Sequence, residues 1–128
     1  MAEPDKKFRF RNFPVYKDSR KFTVEIKNFV RAKFPKYELF SLTNQLCRAA
    51  DSIILNIAEG SDRGTDKDFA HFLNNSHTSL NEVVACLDIA LDNHYVNEEE
   101  HLNFLNKAAD LANQLTAFRE SLLKNPKK

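Results

Sequence analysis

Turn-forming and cross-linking residues are scarce in this chain. Its 128 residues include two glycines, four prolines, two cysteines and no tryptophan. Because tight turns and bulges depend on Gly and Pro, these numbers argue against a loop-rich β protein and against a flexible linker. Two cysteines without a Cys-x-x-Cys spacing provide neither a disulfide framework nor a zinc site. The length suits one domain, and 42% hydrophobic with 29% charged residues is ordinary for a globular protein.

Long apolar runs are also missing. No run approaches the roughly 18 apolar residues that a membrane-spanning helix needs. The first residues, Met1 to Lys7, lack the apolar core of a secretory signal. We therefore expect a cytoplasmic protein that makes no membrane contact.

Four stretches have the periodicity of amphipathic helices. They cover residues 15–34, 38–59, 66–93 and 98–123, and apolar residues recur in them at steps of three and four. Four such helices with short connections predict an all-α fold, an up-down antiparallel four-helix bundle. The apolar stripes are wider than a small bundle needs, which favours contacts between subunits.

Three sequence features mark the ends of these helices. Gly60 is expected just past the second helix, as its left-handed C-terminal cap. Thr65 followed by Asp68 resembles a capping box before the third helix. Asn97 followed by Glu100 predicts the N-terminal cap of the fourth.

The bundle is flanked by two basic segments. We expect residues 1–13 to form an extended basic arm, residues 14–123 the bundle, and residues 124–128 a basic tail. Residues 1–36 contain 11 Lys/Arg and 4 Asp/Glu, a net charge of +7, whereas residues 37–128 have a net charge of −6. The basic part could bind an anionic partner, or it could dock on the acidic part of its own or a neighbouring subunit.

The arm alternates aromatic and basic residues over Phe8-Arg9-Phe10-Arg11-Asn12-Phe13. Such a pattern can stack on bases while holding phosphates. The same alternation suits an arm that packs its three phenylalanines on the bundle. Both interpretations stay open on the sequence.

Metal chemistry has little support. Glu98-x-x-His101 and Asp68-x-x-His71 imitate the ligand pairs of di-iron bundles. In antiparallel helices these first-turn pairs lie at opposite ends, so we interpret them as exposed residues at helix starts.

The sequence gives equally little support for covalent catalysis or for a cofactor. Cys47 and Cys86 are offset along the predicted hairpin by too much for a disulfide, and we expect both to be structural thiols. No phosphate-binding loop, dinucleotide fingerprint or nucleophile elbow occurs. The sequence indicates no metal, no cofactor, no small-molecule substrate and no enzymatic activity.

Two polar residues lie within the apolar run of the second helix. Ser52 and Asn56 need hydrogen-bond partners if they are buried. They could bond to a neighbouring helix and fix its register, or they could form a polar site with Glu59 and Arg63.

The second and third helices also carry a distinctive pattern. Residues 42–50 read Leu-Thr-Asn-Gln-Leu-Cys-Arg-Ala-Ala, and residues 56–60 read Asn-Ile-Ala-Glu-Gly. Residues 79–82 read Ser-Leu-Asn-Glu, and Phe34-Pro35-x-x-Glu38 precedes the second helix. This pattern resembles the bacterial four-helix bundle proteins encoded in 23S rRNA intervening sequences, also called the S23 ribosomal protein family, over residues 14–123. Eight residues carry its signature: Gln45, Arg48, Ser52, Asn56, Glu59, Gly60, Ser79 and Glu82.

The resemblance implies an up-down bundle that assembles as a ring-like homopentamer with no established role. A related branch, the accessory proteins of diversity-generating retroelements, uses basic surface to bind nucleic acid. We therefore expect a non-enzymatic homo-oligomer that binds RNA or a ribonucleoprotein. The alternative is a protein–protein scaffold without nucleic-acid binding. Nine candidate contact residues are basic: Lys6, Lys7, Arg9, Arg11, Lys17, Arg20, Lys21, Arg48 and Arg63.

Overall fold

A computed structural model describes residues 2–124, and this part of the chain contains helices and no strand. Helix α1 covers Glu3–Lys7. The four long helices are α2 (Pro14–Lys33), α3 (Leu42–Gly60), α4 (Asp66–Asp92) and α5 (Glu98–Lys124). Two 3₁₀ turns, Arg9–Asn12 and Lys36–Glu38, precede α2 and α3. The predicted all-α fold is confirmed.

The four long helices pack as an up-down bundle around one core. Helix α3 packs along α4, α4 packs along α5, and α2 lies against both α3 and α5. The stripes that the sequence predicted face inwards, because burying an apolar stripe is what stabilises an amphipathic helix. The least exposed large side chains are Ile26, Leu46, Ile53, Ile57, Leu73, Leu80, Val83, Leu87 and Leu115.

Side-chain caps begin α4 and α5 as expected. Asp68 donates its backbone N–H to Thr65 Oγ1 at 3.1 Å. Glu100 donates its N–H to Asn97 Oδ1 at 2.8 Å, while Asn97 donates its own to Glu100 Oε1 at 3.0 Å. That reciprocal pair is a complete capping box.

The prediction for Gly60 is wrong. It is the last residue of α3, and no described glycine has a positive φ. A Cβ placed on Gly60 would lie 2.6 Å from Phe72 Cβ and 3.0 Å from Phe69 Cδ1. The position therefore needs glycine because α4 approaches the backbone here, and the left-handed cap plays no part.

The N-terminal arm is also not extended. Residues 3–12 form α1 and a 3₁₀ turn, because Pro4 lies in the first turn of α1 and Glu3 favours its positive end. Phe13 follows and packs on the bundle, its ring centroid 6.1 Å from that of Phe69 and 5.2 Å from that of Phe118. The arm is thus a folded cap on one end of the bundle. At the other terminus Lys124 ends α5, and the rest of the predicted tail lies outside the described residues.

The connection between α2 and α3 is longer than the sequence indicated. Helix α3 begins at Leu42, not near Glu38, whose carboxylate accepts the Leu42 N–H at 3.3 Å. The same carboxylate accepts the Tyr95 hydroxyl at 2.8 Å, and the hydroxyls of Tyr95 and Tyr37 lie 3.1 Å apart. These hydrogen bonds raise the pKa of Tyr95 well above its usual value. Glu38 therefore joins the α2–α3 connection to the turn before α5.

Candidate nucleic-acid interface

Four of the nine basic candidates meet at one groove. Lys6, Lys7 and Arg9 line it from the arm, and Arg63 lines it from the turn after α3. The groove has a volume of about 1050 Å³ and also includes Phe8, Phe10, Leu55 and two carboxylates. We call it the arm groove.

Arg9 attaches the arm to the bundle. Its Nη2 donates to the Ser61 carbonyl oxygen at 3.0 Å. Its guanidinium carbon lies 5.6 Å from the Phe13 ring centroid and 5.8 Å from that of Phe69, within cation–π range. Since a guanidinium has five N–H donors, the groove side of Arg9 still has donors for a ligand.

Arg63 also lines the arm groove. Its guanidinium carbon lies 4.9 Å from the Phe72 ring centroid, and its Nε is 3.8 Å from Asp68 Oδ2. Both side chains of this ion pair are largely exposed, so the pair holds Arg63 only weakly.

The arm groove is not purely basic. Glu59 and Asp62 line it beside the four cations, which leaves an excess of two positive charges. The exposed aromatic side chain in the groove is Phe8, with 54% of its surface accessible. The arrangement fits a ligand that presents both phosphates and flat apolar rings.

The other basic candidates lie elsewhere or have acidic neighbours. Arg11 pairs with Asp5 at 3.1 Å within the arm. Lys21 lines a hollow between α2 and α5 that also contains Asp18, Glu25 and Asp110. Lys107 lines it too and pairs with Glu25, so the five charged side chains leave a net charge of −1, which makes Lys21 a poor phosphate contact.

Three further candidates remain on helix surfaces. Lys17 is exposed near the start of α2. Arg20 places its guanidinium carbon 5.6 Å from the Tyr16 ring centroid, and that ring contacts Phe10 of the arm at 5.0 Å. Arg48 is exposed on α3, about 18 Å of helical rise from Gly60, where the helix ends before Arg63.

Five of the eight signature residues form one stripe on α3. Spacings of three and four place Gln45, Arg48, Ser52, Asn56 and Glu59 on a single face. Only the two in the middle of the stripe are half-buried, and the other three are exposed.

Hydrogen bonds connect the middle of the stripe to α4. The hydroxyls of Ser52 and Ser79 lie 2.8 Å apart, and Asn56 donates to the Ser52 carbonyl and hydroxyl oxygens at 2.9 and 3.0 Å. This supports the interpretation in which polar residues fix the register between helices. Glu59 and Arg63 both line the arm groove instead, and Glu82 is exposed on α4.

The chain resembles known proteins in both sequence and fold. The model of the 23S rRNA-intervening sequence protein family matches residues 11–117. The chain belongs to the 23S rRNA-intervening sequence protein family. A solved structure from Bacteroides thetaiotaomicron, a protein of unknown function from the S23 ribosomal protein family, superimposes with a TM-score of 0.72. The match covers 82% of this chain and 97% of that one at 23% identity, which shows a shared fold. A search of curated proteins finds no significant match.

The matched region of this 23S rRNA-intervening sequence family member begins at residue 11. Lys6, Lys7 and Arg9 therefore precede it, whereas Arg63 and the signature stripe lie within it. The arm groove combines a part of the chain that the family model matches with a part that precedes the match.

The sequence analysis missed a second groove of this family member, between the end of α2 and the start of α3. It has a volume of about 450 Å³, and its lining includes Val30, Phe34, Leu39 and Cys47. We call it the linker groove. Val30 and Phe34 look like core residues in the sequence and are buried, whereas Leu39 beside them in the α2–α3 connection keeps 53% of its surface exposed.

Residues 2–124 contain neither a cluster of metal ligands nor a membrane-spanning helix. No three His, Cys, Asp or Glu side chains converge there on a common point. His101 Nε2 lies 2.8 Å from Asp88 Oδ1, a pair and not a cluster of ligands. None of the helices in residues 2–124 has the length and hydropathy to span a bilayer.

Proposed function

We propose that this protein is a non-enzymatic bundle that binds single-stranded RNA in the arm groove. The observation that carries the proposal is the meeting of Lys6, Lys7, Arg9 and Arg63 around exposed Phe8. The four cations would contact consecutive phosphates, and Phe8 would stack on a base. Stacking on aromatic side chains is sequence-tolerant, so we expect weak sequence preference.

Salt dependence gives the first test. Four phosphate contacts to a single strand predict that log K falls with log salt at a slope of about −3. Fluorescence anisotropy of a labelled oligouridine, measured between 50 and 200 mM salt, reports this slope. An affinity that ignores salt would overturn the proposal.

A pair of matched variants locates the site. Lys6→Gln with Lys7→Gln removes two groove cations and reduces the slope by about 1.4. Lys21→Gln with Lys33→Gln removes the same charge from exposed positions outside the arm groove. Equal weakening by both pairs would show that net charge, rather than the arm groove, attracts the RNA.

A second candidate function is self-assembly, as a homopentamer that acts as a scaffold. Its support is a set of large apolar side chains at the surface of a single chain. Phe40 is 91% exposed and Tyr37 77% exposed in the α2–α3 connection. Leu55 on α3 and Leu102 on α5 are more than half exposed. Apolar side chains of this size on a small surface are typical of contact between subunits.

Deletion of residues 2–12 separates the two functions. The deletion removes the groove cations of the arm and keeps Phe13, which packs on the bundle. Loss of RNA binding with the assembled mass unchanged favours the RNA-binding function. Loss of the assembled mass in native mass spectrometry favours the scaffold, with the arm serving assembly.

A further inference from the structure

We propose that the linker groove binds a small amphipathic carboxylate, with its apolar part against Val30 and Leu39 and its carboxylate between Arg31 and Lys36. The ligand class is a medium-chain fatty acid or an aryl carboxylate. This site is separate from the arm groove, but it adjoins the α2–α3 connection on which the proposed self-assembly rests.

The floor of the linker groove is apolar and accessible. Val30 and Phe34 are buried below it, while Leu39 keeps 53% of its surface exposed at its edge. The volume of about 450 Å³ falls within the range of 300–1,000 Å³ that is typical of small-molecule sites. Covering this floor with an alkyl chain or a ring removes apolar surface from water.

The rim of the linker groove is positively charged. Lys27, Arg31 and Lys36 line it, and none of its lining residues carries a carboxylate. Lys27 is paired with Asp51 at 2.8 Å. Among residues 2–124, the bond of Arg31 goes to the neutral amide oxygen of Asn28, at 3.1 Å, which does not neutralise its charge. Two cations therefore remain for an anion.

Two cations of the rim, Lys27 and Arg31, also affect the Cys47 thiol in the floor of the groove. Burial raises the pKa of the Cys47 thiol, and Lys27 and Arg31 oppose that rise. Asp51 adds to the rise, so the pKa does not report the sign of the groove; its lining does, with apolar residues in the floor and Lys27, Arg31 and Lys36 at the rim. That combination selects a ligand with an apolar body and one negative group.

RNA fits this groove less well than the arm groove does. The two lie at opposite ends of α3, about 24 Å apart by the helical rise from Thr43 to Glu59. The linker groove has an apolar floor, on which a phosphodiester backbone would lose its hydration without compensation. A ligand here can bind whether or not RNA occupies the arm groove.

Cys47 supplies the measurement, because it lines the linker groove and is half-buried, whereas Cys86 is fully buried. The full-length protein is alkylated with iodoacetamide while decanoate is titrated, and the Cys47 rate is read by mass spectrometry. Binding slows that rate by a factor of 1 + [L]/Kd, or about elevenfold at a decanoate concentration of ten times Kd. Decanol and decylammonium serve as matched probes with a neutral and a cationic head.

Variants identify the charges involved. Arg31→Gln with Lys36→Gln removes exposed groups and should weaken decanoate protection by about tenfold, since each exposed ion pair contributes up to about fivefold. Lys33→Gln removes one charge of the same helix from a position that does not line the groove. It should leave protection within about twofold.

Three outcomes would overturn the proposal. Equal protection by decanol would show that no anion is selected. Equal weakening by Lys33→Gln and by the double variant would show that the charge effect is not local. Protection of Cys47 that needs no ligand and grows with protein concentration would show that a second copy of the chain covers the groove. RNA affinity is measured on the same variants, and its loss or retention bears only on the arm groove.

Discussion

Three small hydroxyl side chains are buried on the long helices of this bundle, and they differ in their partners. Ser76 donates to the Ile53 carbonyl oxygen at 2.9 Å, and Thr23 donates to the Ala50 carbonyl oxygen at 3.4 Å. Ser19 is fully buried on α2, and its Oγ has no hydrogen-bond partner in residues 2–124. A buried hydroxyl without a partner destabilises the folded state, because unfolding would return it to water.

Replacing Ser19 and Ser76 by alanine should therefore change stability in opposite directions. Ser19→Ala removes an unsatisfied group and should raise the free energy of unfolding by about 1 kcal/mol. Ser76→Ala removes a satisfied group of the same size and should lower it by about 1 kcal/mol. Urea denaturation followed by circular dichroism measures both. A loss of stability in both variants would show that Ser19 contributes packing or a bond that outweighs its desolvation.

The two thiols should react slowly below their pKa values. Burial raises the pKa of Cys47, and burial together with nearby Glu82 raises that of Cys86. Because the thiolate is the reactive form, a raised pKa leaves less of it at pH 7.4 and moves the increase in rate to higher pH. In the absence of ligand, iodoacetamide should modify Cys47 more slowly than free cysteine, and Cys86 only on unfolding. Reaction of Cys47 faster than free cysteine at pH 7.4 would contradict this.

At the scale of the element, the hairpin of α3 and α4 depends on close approach at two places. Near its turn, Gly60 lies against Phe72 and Phe69 of α4. Near its middle, the hydroxyls of Ser52 and Ser79 join the helices. Both contacts require small side chains on α3, which accounts for polar and glycine residues within an otherwise apolar helix.

A substitution pair tests this close approach. Gly60→Ala gains about 1 kcal/mol of helix propensity, but its Cβ would overlap Phe72 Cβ, so we expect a net loss of about 1–3 kcal/mol. Gly64→Ala is the control, since nothing lies within 4 Å of a Cβ there and its φ is not positive. It should be neutral or stabilising by up to about 1 kcal/mol. Thermal unfolding of both variants measures these changes in stability. A stabilised Gly60→Ala variant would disprove the steric argument.

Helix boundaries were predictable where the signal is local. The capping box of Asn97 and Glu100 involves residues three apart, and the structure has it as expected. Gly60 was misread because its requirement comes from the packing of α4 across the turn, which the local pattern of residues does not report. The arm was misread for a similar reason: the alternation of Phe and Arg imitates a strand, while Pro4 and the contacts of Phe13 favour compact turns.

At the scale of the whole molecule, the sequence identified basic residues but not which of them meet. Arg63 is 54 positions from Arg9, yet both line the arm groove. Lys21 is close to the arm in sequence but lies among carboxylates of α2 and α5. Charge counting cannot separate these cases, because the sign of a surface depends on every element that contributes to it. The linker groove was missed for the same reason.

Assembly should depend on the exposed aromatic residues of the α2–α3 connection. Phe40 has 91% of its surface exposed, so Phe40→Ser should change the unfolding free energy of a single chain by less than about 0.5 kcal/mol. If the homopentamer forms through this surface, the variant should shift the mass in sedimentation velocity towards that of one chain. An unchanged assembled mass would place the contact elsewhere, at Leu55 or Leu102.

The short turn at residues 61–65 has a kinetic consequence. It joins α3 to α4, so their contacts close a small loop at low entropic cost, whereas the packing of Phe13 on Phe118 closes a loop of more than 100 residues. The hairpin should therefore be structured in the folding transition state, with the arm docking afterwards. Ile53→Val should slow refolding, and Phe13→Leu should chiefly speed unfolding, in stopped-flow experiments. A partly folded chain would therefore have the α3–α4 hairpin formed and the arm not yet docked on that end of the bundle.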